Sequence, residues 1–401
     1  MRSSSSFVAS LTRLLVLSPA AIFLANAATT VDRSTLNGKL FVGYQGWFRK
    51  PNQDDGNTHW TRTGSTPQVG NVGVDFLPNV SGYPPACLFD TPFTLPGGGN
   101  AKFYTADCQG VVDLHFNMMA QNGIDGAFIQ RFYGYINEPN GGWLNILNSA
   151  KAAAEAHGRG FVVEYDLSGA SSSTSNIAQT ILNDLNNLKS ITSSPAYMHH
   201  KGKPVVEVWG LGIRTDITVQ DGIKIANAVK QAGYYLILGV RQDWRSEVSG
   251  NNGYSSVYKL ADMIQPWTVG SYDHNSYPSY HQNQQVADSK ELQSLGLESS
   301  VVCWPGASSA NEAIGTAPFD GYPRYNGSFY KAQLDSAISL KPSFIFGAMF
   351  DEMNEGTSIF PVLRVNELPT NQRFVGIDNN MDPAFYLKMA GTAGAQLAAK
   401  W

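Results

Sequence analysis

The strongest constraint on this chain is a rhythm: from Lys39 onward, eight short apolar runs alternate with eight segments of helical periodicity. The runs lie at 40–44, 126–130, 161–165, 204–208, 235–240, 263–266, 300–304 and 343–349. Most are rich in β-branched or aromatic residues and bounded by glycine or proline, which predicts strands. The run at 263 is the weakest of the set. Helical patterns fall at 112–122, 143–157, 176–189, 220–231, 256–260, 288–295, 328–340 and 383–400. Two of them end at His157-Gly158 and Ala232-Gly233, with the glycine expected just past a helix end. This alternation predicts a (β/α)8 barrel. A doubly wound open sheet fits less well, because no dinucleotide glycine fingerprint follows any strand and the strand count closes a barrel.

The N-terminus reads as a secretory leader. Arg2 and Arg13 are basic, 14–24 is apolar, and Ala25-Asn26-Ala27 is a small-residue cleavage site. The apolar stretch is short and interrupted by Ser18 and Pro19, which argues against a membrane anchor. The expected organisation is a signal peptide at 1–27 and one catalytic domain at 28–401, secreted and free of the membrane. No repeat or composition shift marks a second domain. Cleavage removes two arginines and no acid, taking the formal charge of −4 further negative, and lysines and arginines cluster nowhere. The electrostatic footprint of a nucleic-acid binder is therefore absent. Cys87 and Cys108 bracket a Gly/Pro-rich loop and are the expected disulfide, worth about 3 kcal/mol by loop closure. Cys303 lies in an apolar run and reads as a buried thiol. Asn79-Val80-Ser81 and Asn326-Gly327-Ser328 are glycosylation acceptor sequences.

Two stretches break the rhythm. The segment 49–105 is rich in Pro, Gly, Asn and Asp with scattered apolar residues, so it reads as a long loop after the first strand. It would lie over the C-terminal mouth, where barrel enzymes keep their active sites. The eighth strand runs into Asp351-Glu352-Met353-Asn354-Glu355-Gly356-Thr357. Glycosidic cleavage needs two carboxyl groups, one to protonate the leaving oxygen and one to act as base or nucleophile. Glu352 and Glu355, three apart on a turn, can converge on one cleft. Other strand ends offer substrate contacts: Tyr44 on the first, Asp166 (with Glu164) on the third, Glu207 (with Trp209) on the fourth. Arg241 and Asp243 follow the fifth strand, Trp267 the sixth and Trp304 the seventh. His59-Trp60 in the long segment could stack on and hydrogen-bond a sugar, or pack the segment itself.

The stretch Glu352 to Ile359 resembles the Glu-x-x-Glu-Gly-Thr-x-Ile motif of glycoside hydrolase family 99, the endo-α-mannosidases, and of the wider group joining it to the family 71 α-1,3-glucanases. Gly43-Tyr44-Gln45-Gly46-Trp47-Phe48, with Asp55-Gly56 and His59-Trp60, is similar to that group's N-terminal signature and adds Trp47 to the candidate contacts. Phe374 to Asp378 and Tyr386-Leu387 are similar to its closing element. The resemblance implies a retaining α-glycosidase in which Glu352 deprotonates the sugar's 2-hydroxyl, giving a 1,2-anhydro sugar, and Glu355 serves as acid and then base. The family places Trp and His where this chain has Met353 and Asn354, which points to a related, xylosidase/arabinosidase-like branch. α-1,3-Glucan, xylan or arabinan side chains are alternative substrates, and a carbohydrate-binding barrel without turnover is the alternative class. No cofactor is expected. His199 and His200 point apart on any regular element, and Asp378 to Asp382 lacks the calcium ligand ladder, so no metal site is expected either.

Overall fold

The computed structural model describes residues 30–51, 58–137, 142–173, 176–251 and 253–401, so the expected leader and the Asp55-Gly56 pair lie outside the described residues. Eight strands form in sequence. They are β1 (Lys39–Tyr44), β2 (Gly126–Phe132), β3 (Gly160–Asp166), β4 (Lys203–Leu211), β5 (Tyr235–Arg241), β6 (Met263–Trp267), β7 (Glu298–Cys303) and β8 (Phe344–Gly347). Each pairs in parallel with the next, and β8 returns to β1 with Leu40 opposite Ile345 and Phe41 opposite Phe346. The sheet is a closed (β/α)8 barrel. The weak run at 263 is a true strand.

Helices cover it in the same order. They are α1 (Gln109–Gln121), α2 (Gly142–Ala156), α3 (Ile177–Asn187), α4 (Val219–Gln231), α5 (Ser255–Tyr258), α6 (Val286–Leu295), α7 (Ser328–Leu340) and α8 (Phe385–Ala398). Only α5 is reduced to a single turn. Among the described residues no helix is long and apolar enough to cross a membrane.

Strand alternation sorts the barrel into layers. Side chains two apart share a face, and the inward set begins with Phe41, Phe128, Val162, Met263 and Phe344, all buried. Phe128 packs 5.4 Å from Phe41 and 5.2 Å from Phe344 between ring centroids. One layer up, the inward positions turn polar: Gln130 faces Glu164 across the β2–β3 register, and Glu164 faces Glu207 across β3–β4. The Gln265 amide donates to Glu207 at 2.7 Å and accepts from Ser300 Oγ at 2.6 Å, so five strands meet in one polar layer. A third step brings Phe132, Asp166, Trp209 and Trp267 to the C-terminal rim.

The segment after β1, expected as a loop, contains an antiparallel hairpin of Leu88–Thr94 and Asn100–Tyr104. Phe89, Phe93 and Phe103 are its buried side. The Cys87–Cys108 disulfide joins the hairpin's start to the residue capping α1, with Cα atoms 5.7 Å apart. Cys303 is a buried free thiol.

Candidate active site

The chain leaves β8 and forms a closed turn. Ser358 N–H donates to the Glu352 carbonyl at 3.1 Å, and Gly356 N–H to that of Met353 at 3.1 Å. Gly356 has φ +68°, a conformation that costs an L-residue about 1–2 kcal/mol. The turn is tied to the end of β1. Phe350 N–H donates to Gly43 O at 2.8 Å, while the Asp351 carboxylate accepts from the backbone N–H groups of Gln45 and Gly46, both at 2.8 Å. The two motifs that stand far apart in the sequence are thus joined physically. Burial pushes Asp351 up to about 6 against those two bonds, which favour its charged form.

Above the polar layer lies a cavity of about 440 Å³, and both Glu352 and Glu355 line it. Burial, then the charge of Glu355, holds Glu352 well above the ordinary glutamate range, and the side-chain amide of Gln45 works in the opposite direction. Glu355 is exposed at the cavity, but the protein packed around it lifts its carboxyl too. The two titrate as an interacting pair, so over some pH range one carries a proton and the other a charge. Asp166 lines the cavity as well, accepting from Ser168 N–H at 2.7 Å, and burial raises its carboxyl.

The walls are aromatic. Trp47 lies in a parallel stack with His59 at 4.0 Å and Phe132 at 5.0 Å between centroids. Its faces are engaged by protein, so it offers the cavity an edge rather than the expected platform. Burial and the Arg49 charge depress His59 to about 4, so it is neutral near pH 7. Trp267 stands edge-to-face to Trp209 at 5.7 Å on the opposite wall, and Tyr135, backed by Trp143, completes the rim. Among the described residues no lysine or arginine lines the cavity.

Four expected contacts are elsewhere. Tyr44 follows Leu40 and Val42 on the outer face of β1, fully buried, with its hydroxyl 2.9 Å from His115 Nδ1 on α1. Trp60 is fully buried in the segment's own core, stacked on Phe103 at 4.2 Å with its indole N–H on Tyr104 O at 3.1 Å. Trp304 is sealed beneath Tyr272 and Tyr322. Glu207 sits one layer below the rim, bonded to Gln265 and pushed up by burial to about 8. Arg241 and Asp243 pair with each other outside the cavity. Met353 is fully buried and neither it nor Asn354 lines the cavity, so the departure from the family motif falls behind the site. Sequence reasoning missed Gln45, Gln130, Tyr135 and Ser168 as lining residues. A lone amide in the apolar run Gly126 to Phe132 was the available signal for Gln130. Among the described residues no group of three or more His, Cys, Asp or Glu side chains could hold a metal ion.

The closed eight-stranded parallel barrel is a fold also found in solved glycoside hydrolase structures. Among solved structures, the chain is similar to the GH99 endo-α-mannosidase of Bacteroides thetaiotaomicron: TM-score 0.64, 14% identity, covering 90% of this chain and 97% of that one. The same enzyme in complex with Bis-Tris propane gives TM-score 0.64 at 14% identity over 91% and 99% of the two chains. A glycoside hydrolase-like protein matches with TM-score 0.53 and 14% identity over 78% of this chain and 91% of that one. No family model matches the sequence, and no curated protein matches it.

Proposed function

We propose that this protein is a secreted, retaining glycoside hydrolase, endo-α-mannosidase-like, that cleaves an α-linked glycan with Glu352 and Glu355. One observation carries the reading: a single closed turn presents both glutamates, with raised and coupled titration, to one aromatic-walled cavity at the barrel's C-terminal mouth. In the reaction Glu352 takes the proton of the sugar's 2-hydroxyl, and that oxygen attacks the anomeric carbon. The glycosidic C–O bond breaks and its oxygen leaves with the proton of Glu355. Water, giving a proton to Glu355, then opens the 1,2-anhydro ring at the anomeric carbon, and the 2-oxygen recovers its proton from Glu352. Two inversions leave the configuration retained.

Burial raises both carboxyls and Glu352 also feels the charge of Glu355, so the pair shares a proton over part of the pH range. A 2-hydroxyl donating to Glu352 favours its charged form and moves the proton to Glu355. Cavity charge supports an uncharged sugar, since carboxyls at 166, 352 and 355 line it and, among the described residues, no lysine or arginine does. Trp267, Asp166, Trp47 and His59 are the proposed substrate contacts.

The test is digestion of a panel of α-mannan, α-1,3-glucan, xylan and arabinan, following the first product by NMR, together with 2-deoxy-2-fluoro aryl glycosides. Retention with no turnover and no adduct on the fluorinated substrate supports the anhydro route. A covalent ester on Glu352 would replace that route with a carboxylate nucleophile. Inversion would remove the family mechanism, and no cleavage of any glycan would favour a binding barrel.

A further inference from the structure

We infer that Arg324 is a positioning residue for Glu355, an inference resting on the reading of Glu355 as the acid/base. Arg324 is buried, and its guanidinium lies over the ring of Phe76 at 4.3 Å and that of Tyr386 at 4.8 Å. Its Nη2 donates to Gly356 O at 2.8 Å and to Ser358 O at 2.7 Å. Both carbonyls belong to the turn that carries Glu355, one immediately after it. From the other side Ser308 N–H donates to the carbonyl of Glu355 itself at 2.8 Å. Ser308 is fixed in turn by Asp75, whose carboxylate accepts from the Ser308 hydroxyl and from Ala310 N–H at 2.7 Å and Asn311 N–H at 2.8 Å. Glu355 thus stands on a loop gripped at three carbonyls.

The energetics make a merely decorative role hard to sustain. Taking a guanidinium out of water costs several kcal/mol unless its surroundings compensate. Here the compensation is two turn carbonyls, two aromatic faces, the Tyr386 hydroxyl and the Asp320 charge, while burial draws the guanidinium's pKa down. A lysine in the same place could not reproduce the planar fork between two ring faces. Arg324 touches neither cavity nor substrate; it acts through the backbone that aims Glu355.

A recess of about 250 Å³ lined by Arg324, Phe76, Asp320 and Tyr386 gives small solutes a route to this position. That supplies the experiment. Arg324→Ala should lower kcat on a natural glycan by about 100-fold, the scale of a displaced reacting group, with KM changed by no more than about threefold. Guanidinium ion at tens of millimolar should restore at least about tenfold of the loss in Arg324→Ala, and should not stimulate wild type or Arg324→Met. Arg324→Lys should show an intermediate kcat and a shifted limb of the pH–rate profile. If Arg324→Ala fails to fold, Arg324→Lys alone decides, since unchanged kcat and pH profile in it would overturn the inference. Combining Arg324→Ala with Glu355→Gln should add little to the loss from Glu355→Gln alone, because both remove one function. Fully multiplied losses, or no rescue by guanidinium, would refute the positioning role. An active Glu355→Gln enzyme would instead refute the acid/base reading, and the two failures are distinguishable.

Discussion

Replacing Gly356 with alanine adds one methyl group, and the structure sets what it meets. At φ +68° an L-residue costs about 1–2 kcal/mol over glycine. The new Cβ would lie 2.7 Å from both the backbone N and O of Ser308, closer than real Cβ atoms come. Ser308 cannot simply retreat, because Asp75 holds its hydroxyl and the backbone N–H groups of Ala310 and Asn311. The contact is relieved only by separating the 308 segment from the turn, which breaks the Ser308 N–H to Glu355 O bond of 2.8 Å. Leaving buried backbone groups unpaired adds about 1–3 kcal/mol. The expected destabilisation is about 2–5 kcal/mol in all, enough to move a urea midpoint by about 0.7–1.7 M at an m-value of about 3 kcal/mol/M. Turnover measured well below that midpoint should fall by about 100-fold, since the turn carrying Glu355 has shifted. Equilibrium urea unfolding and steady-state kinetics on purified Gly356→Ala read both quantities. An unchanged midpoint with wild-type kcat would show that the turn tolerates the displacement and that its packing does not aim Glu355.

Glu355→Gln should lower kcat by about 10²–10⁴ on natural glycans but less on activated aryl glycosides, whose leaving groups need little protonation; equal losses would sink the acid assignment. A substrate with a uronic acid in place of the cleaved sugar meets cavity carboxylates in a lining whose described residues include no lysine or arginine, a repulsion of about 4 kcal/mol at 4 Å and an effective dielectric of 20. Its kcat/KM should fall by at least about 10²-fold, and comparable rates for the neutral and acidic sugars would contradict the charge argument. Stability should peak near pH 4–5. Burial raises Asp351 and Asp288 to about 6 and Glu207 to about 8, so their contribution is full below the unfolded carboxylate range and is lost as pH rises through 6 to 8. For Asp351 that loss is of order 3 kcal/mol. Glu298 behaves oppositely: burial opposes its charge, yet bonds from His200, Lys201 and Tyr235 outweigh it and hold the group at about 2, so its contribution is lost as pH falls toward 2. A pH series of thermal melts that is flat from 4 to 8 would contradict the first half of this account.

The barrel was legible because strands buried on both faces must be continuously apolar, and loops between them must carry turn residues. Even the eight helices were recognisable by period and end signals. The hairpin at 88–104 was hidden by Pro92 and by the Gly97-Gly98-Gly99 run, which read as loop although Phe89, Thr91 and Phe93 alternate correctly. A continuous apolar run also conceals which parity faces inward. Tyr44 was chosen for its place at a strand end, whereas the inward parity of β1 is that of Phe41 and Gly43. Trp60 and Trp304 show the same ambiguity for aromatics, which serve a core as readily as a cleft. Glu352 and Glu355 stood out because two acids in a glycine-bearing turn have few structural uses.

The bonds between Asp351 and the Gln45-Gly46 backbone have a temporal consequence. Synthesis is vectorial, and the two halves of this mouth lie more than 300 positions apart in the chain. A growing polypeptide can complete β1, the hairpin and most of the helical shell without owning a cavity that binds anything. Closure waits until β8 has inserted between β7 and β1 and the turn behind it has reached Gln45. The cavity is therefore incomplete for almost the whole of the chain's own production. Any fragment ending before about residue 358 would lack both acids or the lock that aims them.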